Sequence, residues 1–235
     1  MRNYFTLDGV ASTFFGVYIS GQGTFSSPER DYEMITVPGR NGDLVGTETR
    51  FMNGILTYKA GIYINFQSQI EALRAFLNSL YGYKRLTDTY HPNEFRQVIF
   101  RGPFNPKVLP KNDAGQFEIE FECKPQRFLT SGETAVTKTA SGTITNPTRF
   151  ASRPLLVVTG TGQLGVGSDT ITITAASGDT YIDFDMQDAY NANGSRNQYV
   201  QLSGYEFPTL KPGSNGITLG TGITKVVITP RWFTI

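Results

Sequence analysis

The sequence has few of the residues that commonly do chemistry. Its 235 residues include one cysteine and one histidine, and charged residues make up only 17%. A single cysteine, Cys123, excludes an internal disulfide and a cysteine-based metal cluster. A serine triad needs a histidine base beside a serine and an orienting acid, and nothing near His91 suggests one. The net charge of +1 predicts no general attraction to nucleic acid or to an anionic membrane.

Long apolar stretches are missing as well. No run approaches about 20 apolar residues, and the beginning, MRNYFTLDGV, has no apolar signal core. The sequence therefore predicts no membrane insertion, and we expect synthesis in the cytoplasm.

Turn-forming and aromatic residues are abundant. The chain has 25 Gly, 17 Phe and 12 Tyr residues. Such a composition favours a mainly β protein with many turns, and the length allows one large domain or two ordinary ones.

One segment of the first half predicts a helix over residues 69–81. Ser68 and Glu71 have the spacing of a capping box, and Gly82 supplies a stop. Between them an apolar stripe repeats every three or four residues, as expected for a helix lying on a sheet: Ile70, Leu73, Leu77 and Leu80.

The segment GQFEIEFECKP alternates strictly between apolar and acidic residues. As a strand it places Glu118, Glu120 and Glu122 on one face, roughly 6.7 Å apart. This spacing overlaps that of inverting glycosidases, about 6.5–9.5 Å. Any strand with carboxylates at alternate positions has this spacing. A solvated or channel-facing acidic stripe is therefore a better interpretation than a catalytic site.

Composition changes near Thr130, where Thr, Ser and Gly become frequent and helical periodicity ends. We expect a first domain over residues 1–130, with one helix, and a second over residues 131–235. The second consists of short strand-like runs with turns between them, which is typical of a β-sandwich.

Two motifs resemble ligand sites but fit turns better. Gly160-x-Gly162-x-x-Gly165 matches a dinucleotide fingerprint, yet a strand pattern follows where the motif requires a helix. Asp183, Asp185 and Asp188 lack the Gly and closing Glu of a calcium loop. We therefore predict no cofactor, no metal and no enzymatic activity.

The stretch VPGRNGDL, residues 37–44, combines two tight turns with two charged residues. Pro38-Gly39 suits a type II turn, and Asn41-Gly42 is favoured in type I′ turns. The loop is either a hairpin tip in solvent or a rigid element that presents Arg40 and Asp43 to a partner.

Taken in order, six segments resemble the distal tail protein (Dit) family of long-tailed, non-contractile bacteriophages. They are VPGRNGDL, YGYKRLTDTYHPNEFRQVIFRG, FECKPQRFLTSGE, SRPLLVVTGTG, GYEFPTLKPGSNGI and the terminal ITPRWFTI. Each is weak alone, but their order and spacing cover nearly the whole chain.

The resemblance implies a structural virion protein at the phage tail tip, made in the host bacterial cytoplasm. Members form a hub, usually a hexameric ring, between the major tail tube protein and a tail-associated tip protein. DNA passes through the ring without specific binding. Baseplate or receptor-binding proteins attach to many such hubs.

The resemblance also implies a β-sandwich-like, ring-forming N-terminal domain and a galectin-like C-terminal β-sandwich. In the family the last strand can return to complete the first domain, which here would involve the strand near residues 226–235. Longer members insert an extra arm or carbohydrate-binding module, for which this chain has no room. The alternative function is a carbohydrate-binding module in the C-terminal domain, although the single Trp232 fits a core better than a sugar site.

A closed ring requires each copy to join a different patch on its neighbour at a fixed angle, which favours rigid loops as contacts. We therefore predict that Arg40, Asn41 and Asp43 lie at or near a subunit interface, the solvated hairpin tip being the alternative. Glu118, Glu120 and Glu122 are predicted to face the lumen, where acidic walls repel DNA phosphates.

Overall fold

The computed structural model describes residues 2–20, 27–46, 50–109 and 113–235. Over these residues the chain is mainly antiparallel β-structure with one α-helix, which confirms the predicted mainly β fold. The galectin-like character of the second half stays a prediction. The first half contains the helix α1 (Phe66–Ser79) and the strands β1 (Phe5–Leu7), β2 (Val10–Ala11), β3 (Val17–Ser20), β4 (Met34–Ile35), β5 (Leu44–Val45), β6 (Gly54–Ile62), β7 (Lys84–Asp88), β8 (Glu94–Phe100), β9 (Lys107–Val108) and β10 (Gly115–Leu129).

The second half contains strands only, apart from a 3₁₀ turn at Thr130–Glu133. Its strands are β11 (Val136–Lys138), β12 (Gly142–Asn146), β13 (Leu155–Gly160), β14 (Gly162–Val166), β15 (Asp169–Ile173), β16 (Thr180–Asp183), β17 (Asp188–Asn191), β18 (Val200–Leu202), β19 (Gly213–Leu219), β20 (Ile223–Thr229) and β21 (Phe233–Thr234).

The chain divides into two compact units. Unit 1 comprises Met1–Arg127 together with Ile235, and unit 2 comprises Phe128–Thr234. Whether these units are the two predicted domains, and whether each folds alone, stays a prediction.

Unit 1 is built on one antiparallel sheet. Its strand order is β2-β1-β7-β8-β10-β6-β3, and β9 also pairs with β10. The predicted alternation along β10 is confirmed, because Phe117, Ile119, Phe121 and Cys123 are buried whereas Glu118 and Glu120 are exposed. The buried face forms a core with aliphatic and aromatic residues of β1, β3, β6 and α1.

The helix exists where its apolar stripe predicts it, but it begins earlier. Ile70, Leu73 and Leu77 are buried against the sheet, together with Phe66 at the first helical position. The predicted capping box is wrong, since the N-cap residue is Asn65 and makes no side-chain cap.

Asp113, which lies far away in sequence, satisfies the amides at the helix start. Its Oδ1 accepts from the Asn65 amide at 2.9 Å, and its carbonyl accepts from the Phe66 amide at 3.2 Å. The free N–H groups of a helix start need such acceptors. A long-range acceptor therefore replaces the local one that the sequence suggested.

Unit 2 is a β-sandwich of two five-stranded sheets, ordered β11-β20-β13-β16-β17 and β12-β19-β14-β15-β18. Their inward side chains form one core, to which the sheets contribute residues such as Leu156, Ile182 and Ile228 on one side and Leu164, Ile171 and Ile217 on the other. Trp232 joins this core at 5% exposure, as predicted.

Gly160 and Gly162 of the dinucleotide-like motif flank the tight connection between β13 and β14, and Gly165 lies within β14, which confirms the turn interpretation. Gly160 and Gly162 have φ values of 105° and 139°, and β14 follows instead of a helix. A Cβ at Gly160 would lie 2.1 Å from the carbonyl oxygen of Gly222. Glycine is required here because two chain segments approach each other too closely for a side chain.

The segment 230–234 fastens the end of the chain inside unit 2. Arg231 has a φ of 57° and donates two hydrogen bonds to the Asp183 carboxylate, at 2.7 and 2.9 Å. Asp183 Oδ1 also accepts from the amides of Asp185 and Met186. The pKa of Asp183 is lowered, because these hydrogen bonds outweigh the effect of burial. The Leu129 amide donates to the carbonyl of Trp232, and β21 pairs with β10.

Candidate functional site

A two-stranded hairpin, here called the ribbon, comprises residues 29–46 and 50–52. Met34 pairs with Val45 and Ile35 with Leu44, and the pairing continues through a bridge between Arg30 and Phe51. The ribbon connects β3 to β6 in the chain.

Its tip contains one of the two predicted turns. The Arg40 amide donates to the carbonyl of Val37 at 3.2 Å, and Gly39 has a φ of 81°, as a type II turn requires. The predicted type I′ turn at Asn41-Gly42 is wrong, because only Gly42 has a positive φ. Residues 36–43 form a longer loop, in which a two-residue hairpin turn is not needed.

The three residues predicted for a subunit interface are all at this tip. Arg40, Asn41 and Asp43 are exposed. The structure therefore brings them together on an accessible loop. Their role in an interface stays a prediction.

The ribbon also exposes apolar side chains that the sequence analysis did not single out. Met34 is 56% exposed, Val45 55% and Ile35 46%, and Tyr32, Leu44 and Met52 are exposed as well. An isolated two-stranded hairpin is at best marginally stable in water. The two apolar pairs Met34-Ile35 and Leu44-Val45, on either side of the turn-rich loop, are the sequence signal that could have identified this surface.

The predicted acidic stripe lies on the outer face of β10, but its surroundings are not uniformly acidic. Glu122 is half-buried and pairs with the Arg101 guanidinium at 2.8 Å, and Asn53 donates to it at 2.7 Å. Glu118 lies directly across from Lys59 of β6. Whether the three carboxylates face a lumen stays a prediction.

Glu118 and Glu120 line an open groove on the outer face of the unit 1 sheet. The groove encloses about 1120 Å³, and its walls also carry Arg2, Lys59 and Lys107. The guanidinium of Arg2 lies over the rings of Tyr18 and Tyr63, 5.0 and 5.3 Å from their centroids. The groove therefore presents fixed charges of both signs.

A buried polar cluster in the same unit is structural. The Tyr58 hydroxyl donates to Asp88 Oδ2 at 2.5 Å, and Asp88 Oδ1 accepts from the amides of Tyr90 and His91. Burial, followed by the nearby carboxylate, raises the pKa of Tyr58. Burial also raises the pKa of Cys123 to about 11, so this thiol is protonated and unreactive at neutral pH.

In unit 2 a pair of stacked tyrosines lies on the outer face of one sheet. Tyr181 and Tyr190 face each other across β16 and β17, with centroids 5.3 Å apart and planes inclined by 11°. Arg196 and Asp188 form an exposed ion pair beside them. Sequence analysis missed this pair because the two residues become neighbours only through strand pairing.

Within the described ranges, no group of three or more His, Cys, Asp or Glu residues is arranged to hold a metal ion. In that same part of the chain, no helix has both the length and the apolar composition needed to cross a membrane.

Comparison with known proteins gives one family match, which lies within unit 1. Residues 13–123 match the family model described as "Phage tail protein RIFT-related domain". No curated protein matches the sequence.

The solved structures include a match over the full length. The crystal structure of the phage SPP1 Dit protein, described as a paradigm of the hub adsorption apparatus in phages that infect Gram-positive bacteria, shares 15% identity. Its TM-score is 0.78, and all of both chains is covered. A chain of the phage p2 baseplate in its activated conformation, with Sr, has 9% identity and a TM-score of 0.50, and 97% of this chain and 98% of that one are covered.

These matches agree with the resemblance that the sequence predicts. Residues 13–123 are thus similar to a phage tail protein RIFT-related domain, and the whole chain has the fold of SPP1 Dit.

Proposed function

We propose that this chain is a structural subunit of the distal tail of a long-tailed phage. In this role it forms a ring, a hexamer by analogy with the family, that joins the tail tube to the tail tip and lets DNA pass. The observation that carries the proposal is the phage tail domain match over residues 13–123 within a chain that has the fold of the SPP1 Dit hub.

The surface of unit 1 supports such a role. A ring of identical copies needs two different, complementary patches on each subunit. The ribbon is one suitable patch, because its tip is exposed and its turn at residues 37–40 is ordered by a hydrogen bond. Arg40, Asn41 and Asp43 are the residues that we place at this contact.

The proposed partners follow from the position in the tail. The major tail tube protein lies on one side of the ring, and a tail-associated tip protein and baseplate or receptor-binding proteins lie on the other. The protein acts by geometry and needs no active site. It is located in the virion, at the tail tip.

Negative-stain electron microscopy and light scattering of the purified chain, alone and mixed with its tail tube protein, test the ring. We expect closed particles with a central hole. A chain that stays monomeric with its tail partners present would overturn the proposal.

The contact residues are tested separately. The double variant Arg40→Ala plus Asp43→Ala is expected to weaken assembly in the same light-scattering measurement while leaving the fold intact. An unchanged oligomer would remove these residues from the interface.

Saccharide binding by unit 2 is a second candidate function, and the stacked Tyr181–Tyr190 pair favours it. Aromatic rings beside fixed polar groups, here Arg196 and Asp188, suit the apolar faces and hydroxyl groups of a sugar. Pull-down with purified Gram-positive cell walls tests it, with Tyr190→Ala as the variant and Tyr205→Ala, which alters a fully exposed ring elsewhere, as the control. Equal retention of the unchanged protein, the Tyr190→Ala variant and the Tyr205→Ala control on the cell walls would exclude this site.

A further inference from the structure

We propose that the ribbon of one copy lies in the groove of the next copy, where Arg40 pairs with Glu118 or Glu120. This inference rests on the proposed ring and names the two surfaces that close it. The partner is a second copy of the same chain.

The ribbon requires a covering surface. It consists of two short strands, and its residues Met34, Ile35 and Val45 are each about half exposed. Because so small a hairpin gains little stability alone, its apolar side chains favour burial against another surface. The ribbon comprises 21 residues, which lies within the range of about 20–30 residues that one side contributes to a standard protein interface.

The groove is a suitable receiving surface. Its volume of about 1120 Å³ exceeds the roughly 300–1,000 Å³ typical of small-molecule pockets, so it fits a chain segment better. None of the described residues that line it belongs to the ribbon. Ribbon and groove are thus different patches, as a heterologous ring contact requires.

The charges of the two surfaces are complementary. Arg40 at the ribbon tip is exposed, and so are the carboxylates of Glu118 and Glu120 in the groove. An arginine fits a carboxylate through two parallel hydrogen bonds, which fixes direction as well as distance. At the same tip Asp43 carries the opposite charge, which Lys59 and Lys107 on the groove walls complement.

Glu118 and Glu120 cannot both contact a neighbour's ribbon and line the lumen, so this inference excludes the lumen-facing prediction for these two residues. A carboxylate covered by a neighbour's ribbon does not line an open passage. In a lumen, reversing the charge of Glu118 leaves the ring intact. In the groove, the same change disrupts it.

Disulfide trapping tests the contact directly. Asn41→Cys protein is mixed with Glu118→Cys protein under mild oxidation and analysed by non-reducing electrophoresis. Background is low, because the native Cys123 is 2% exposed. We expect a dimer that contains one of each variant. The control mixture replaces the second variant by Glu71→Cys, on the exposed side of α1.

The outcomes decide the inference. A mixed dimer at position 118 that is absent with position 71 supports it. Equal yields with both positions, or dimers of Asn41→Cys alone, overturn it. A ring seen by microscopy without the mixed dimer rejects the ribbon–groove contact but leaves the proposed function standing, whereas absence of any ring in the presence of tail partners rejects the function itself.

Charge reversal gives an independent readout. Arg40→Glu places like charges together and is expected to weaken assembly by about tenfold or more. Glu118→Arg combined with Glu120→Arg is expected to restore the Arg40→Glu protein at least in part. Arg153→Glu, an exposed reversal in unit 2, is the matched control and leaves assembly unchanged. Failure of the rescue together with failure of the disulfide trap overturns the pairing.

Discussion

Unit 1 and unit 2 each bury one hydrophobic core but differ in what they leave exposed. Among the described residues, 17 large hydrophobic side chains are exposed, and 14 of them are in unit 1. Only Met186, Tyr199 and Tyr205 belong to unit 2. Unit 2 is therefore nearly complete as a single sandwich, whereas unit 1 keeps apolar surface that association would cover.

This difference supports the proposal that unit 1 carries the surface used for assembly. Scattered exposed apolar residues are ordinary, but six of those in unit 1 lie together on the ribbon. In unit 2, by contrast, the buried carboxylate of Asp183 finds its hydrogen-bond partner within the unit, in Arg231. Variants that alter one unit alone can therefore separate effects on assembly from effects on the stability of unit 2.

The largest effect is expected from breaking the ion pair of unit 2. Asp183→Asn removes the charge opposite Arg231. Loss of one partner of a fully buried pair costs about 3–5 kcal/mol, which is an upper bound here because the Arg231 side chain is partly exposed. Fluorescence of Trp232, the only tryptophan and part of the unit 2 core, is expected to report unfolding at lower denaturant concentration. Asp185→Asn, the same change at an exposed neighbouring position, is the control. Equal midpoints for the two variants would contradict the role of the pair.

A comparable effect on unit 1 is expected from its helix. Leu73 is fully buried, and Leu→Ala changes in cores cost about 2–5 kcal/mol. Leu73→Ala is expected to lower the unfolding midpoint followed by far-UV circular dichroism. Arg74→Ala, on the exposed side of the helix, is expected to leave it unchanged. A shift of the Trp232 fluorescence midpoint equal to the dichroism shift would show that the units do not unfold separately.

Much of this architecture could be predicted from the sequence, and the helix shows the limit. Its apolar stripe was readable because helix periodicity is local, and Ile70, Leu73 and Leu77 are buried as predicted. Its beginning was not readable, because the amides of Asn65 and Phe66 find their acceptor in Asp113, a distant residue. Local capping patterns cannot reveal a cap supplied by another segment.

The candidate surfaces show the same limit. The strand that carries Glu118 and Glu120 was predicted from its alternation, but Lys59 opposite Glu118 appears only once β6 and β10 pair. The stacked tyrosines of unit 2 likewise depend on strand register. Alternation predicts the face of a strand, whereas the partner across the ladder depends on tertiary structure.

Lowering the pH should reduce the stability of unit 2 through Asp183. The pKa of Asp183 is lower in the folded chain than the usual value of about 3.9. Its ionised form therefore stabilises unit 2 fully above that usual value, and the contribution disappears as the pH falls through the folded pKa. We expect the unit 2 midpoint, followed by Trp232 fluorescence, to fall below about pH 4. Asp183→Asn should show a flatter pH dependence over this range, and parallel curves would contradict the assignment.

The smallest effect on stability is expected from the ribbon. Met34→Ser plus Val45→Ser changes exposed residues, so the free energy of unfolding should shift by no more than about 0.5 kcal/mol. Assembly measured by light scattering should nevertheless decrease. Tyr199→Ser plus Tyr205→Ser removes exposed apolar surface from unit 2 and should leave assembly intact. Equal effects of the two pairs would remove the distinction between the units.

The strand pairing of unit 2 has a consequence for synthesis on the ribosome. The first strands of unit 2 cannot pair until its last strands have been synthesised, because β11 pairs with β20 and β12 with β19. The unit 2 core also includes Trp232, close to the end of the chain. The strands of unit 1 that precede Arg127 are all translated before this. We therefore expect the nascent chain to expose the apolar side chains of the ribbon while unit 2 is still unable to fold. Premature association of nascent chains has to be avoided during this period.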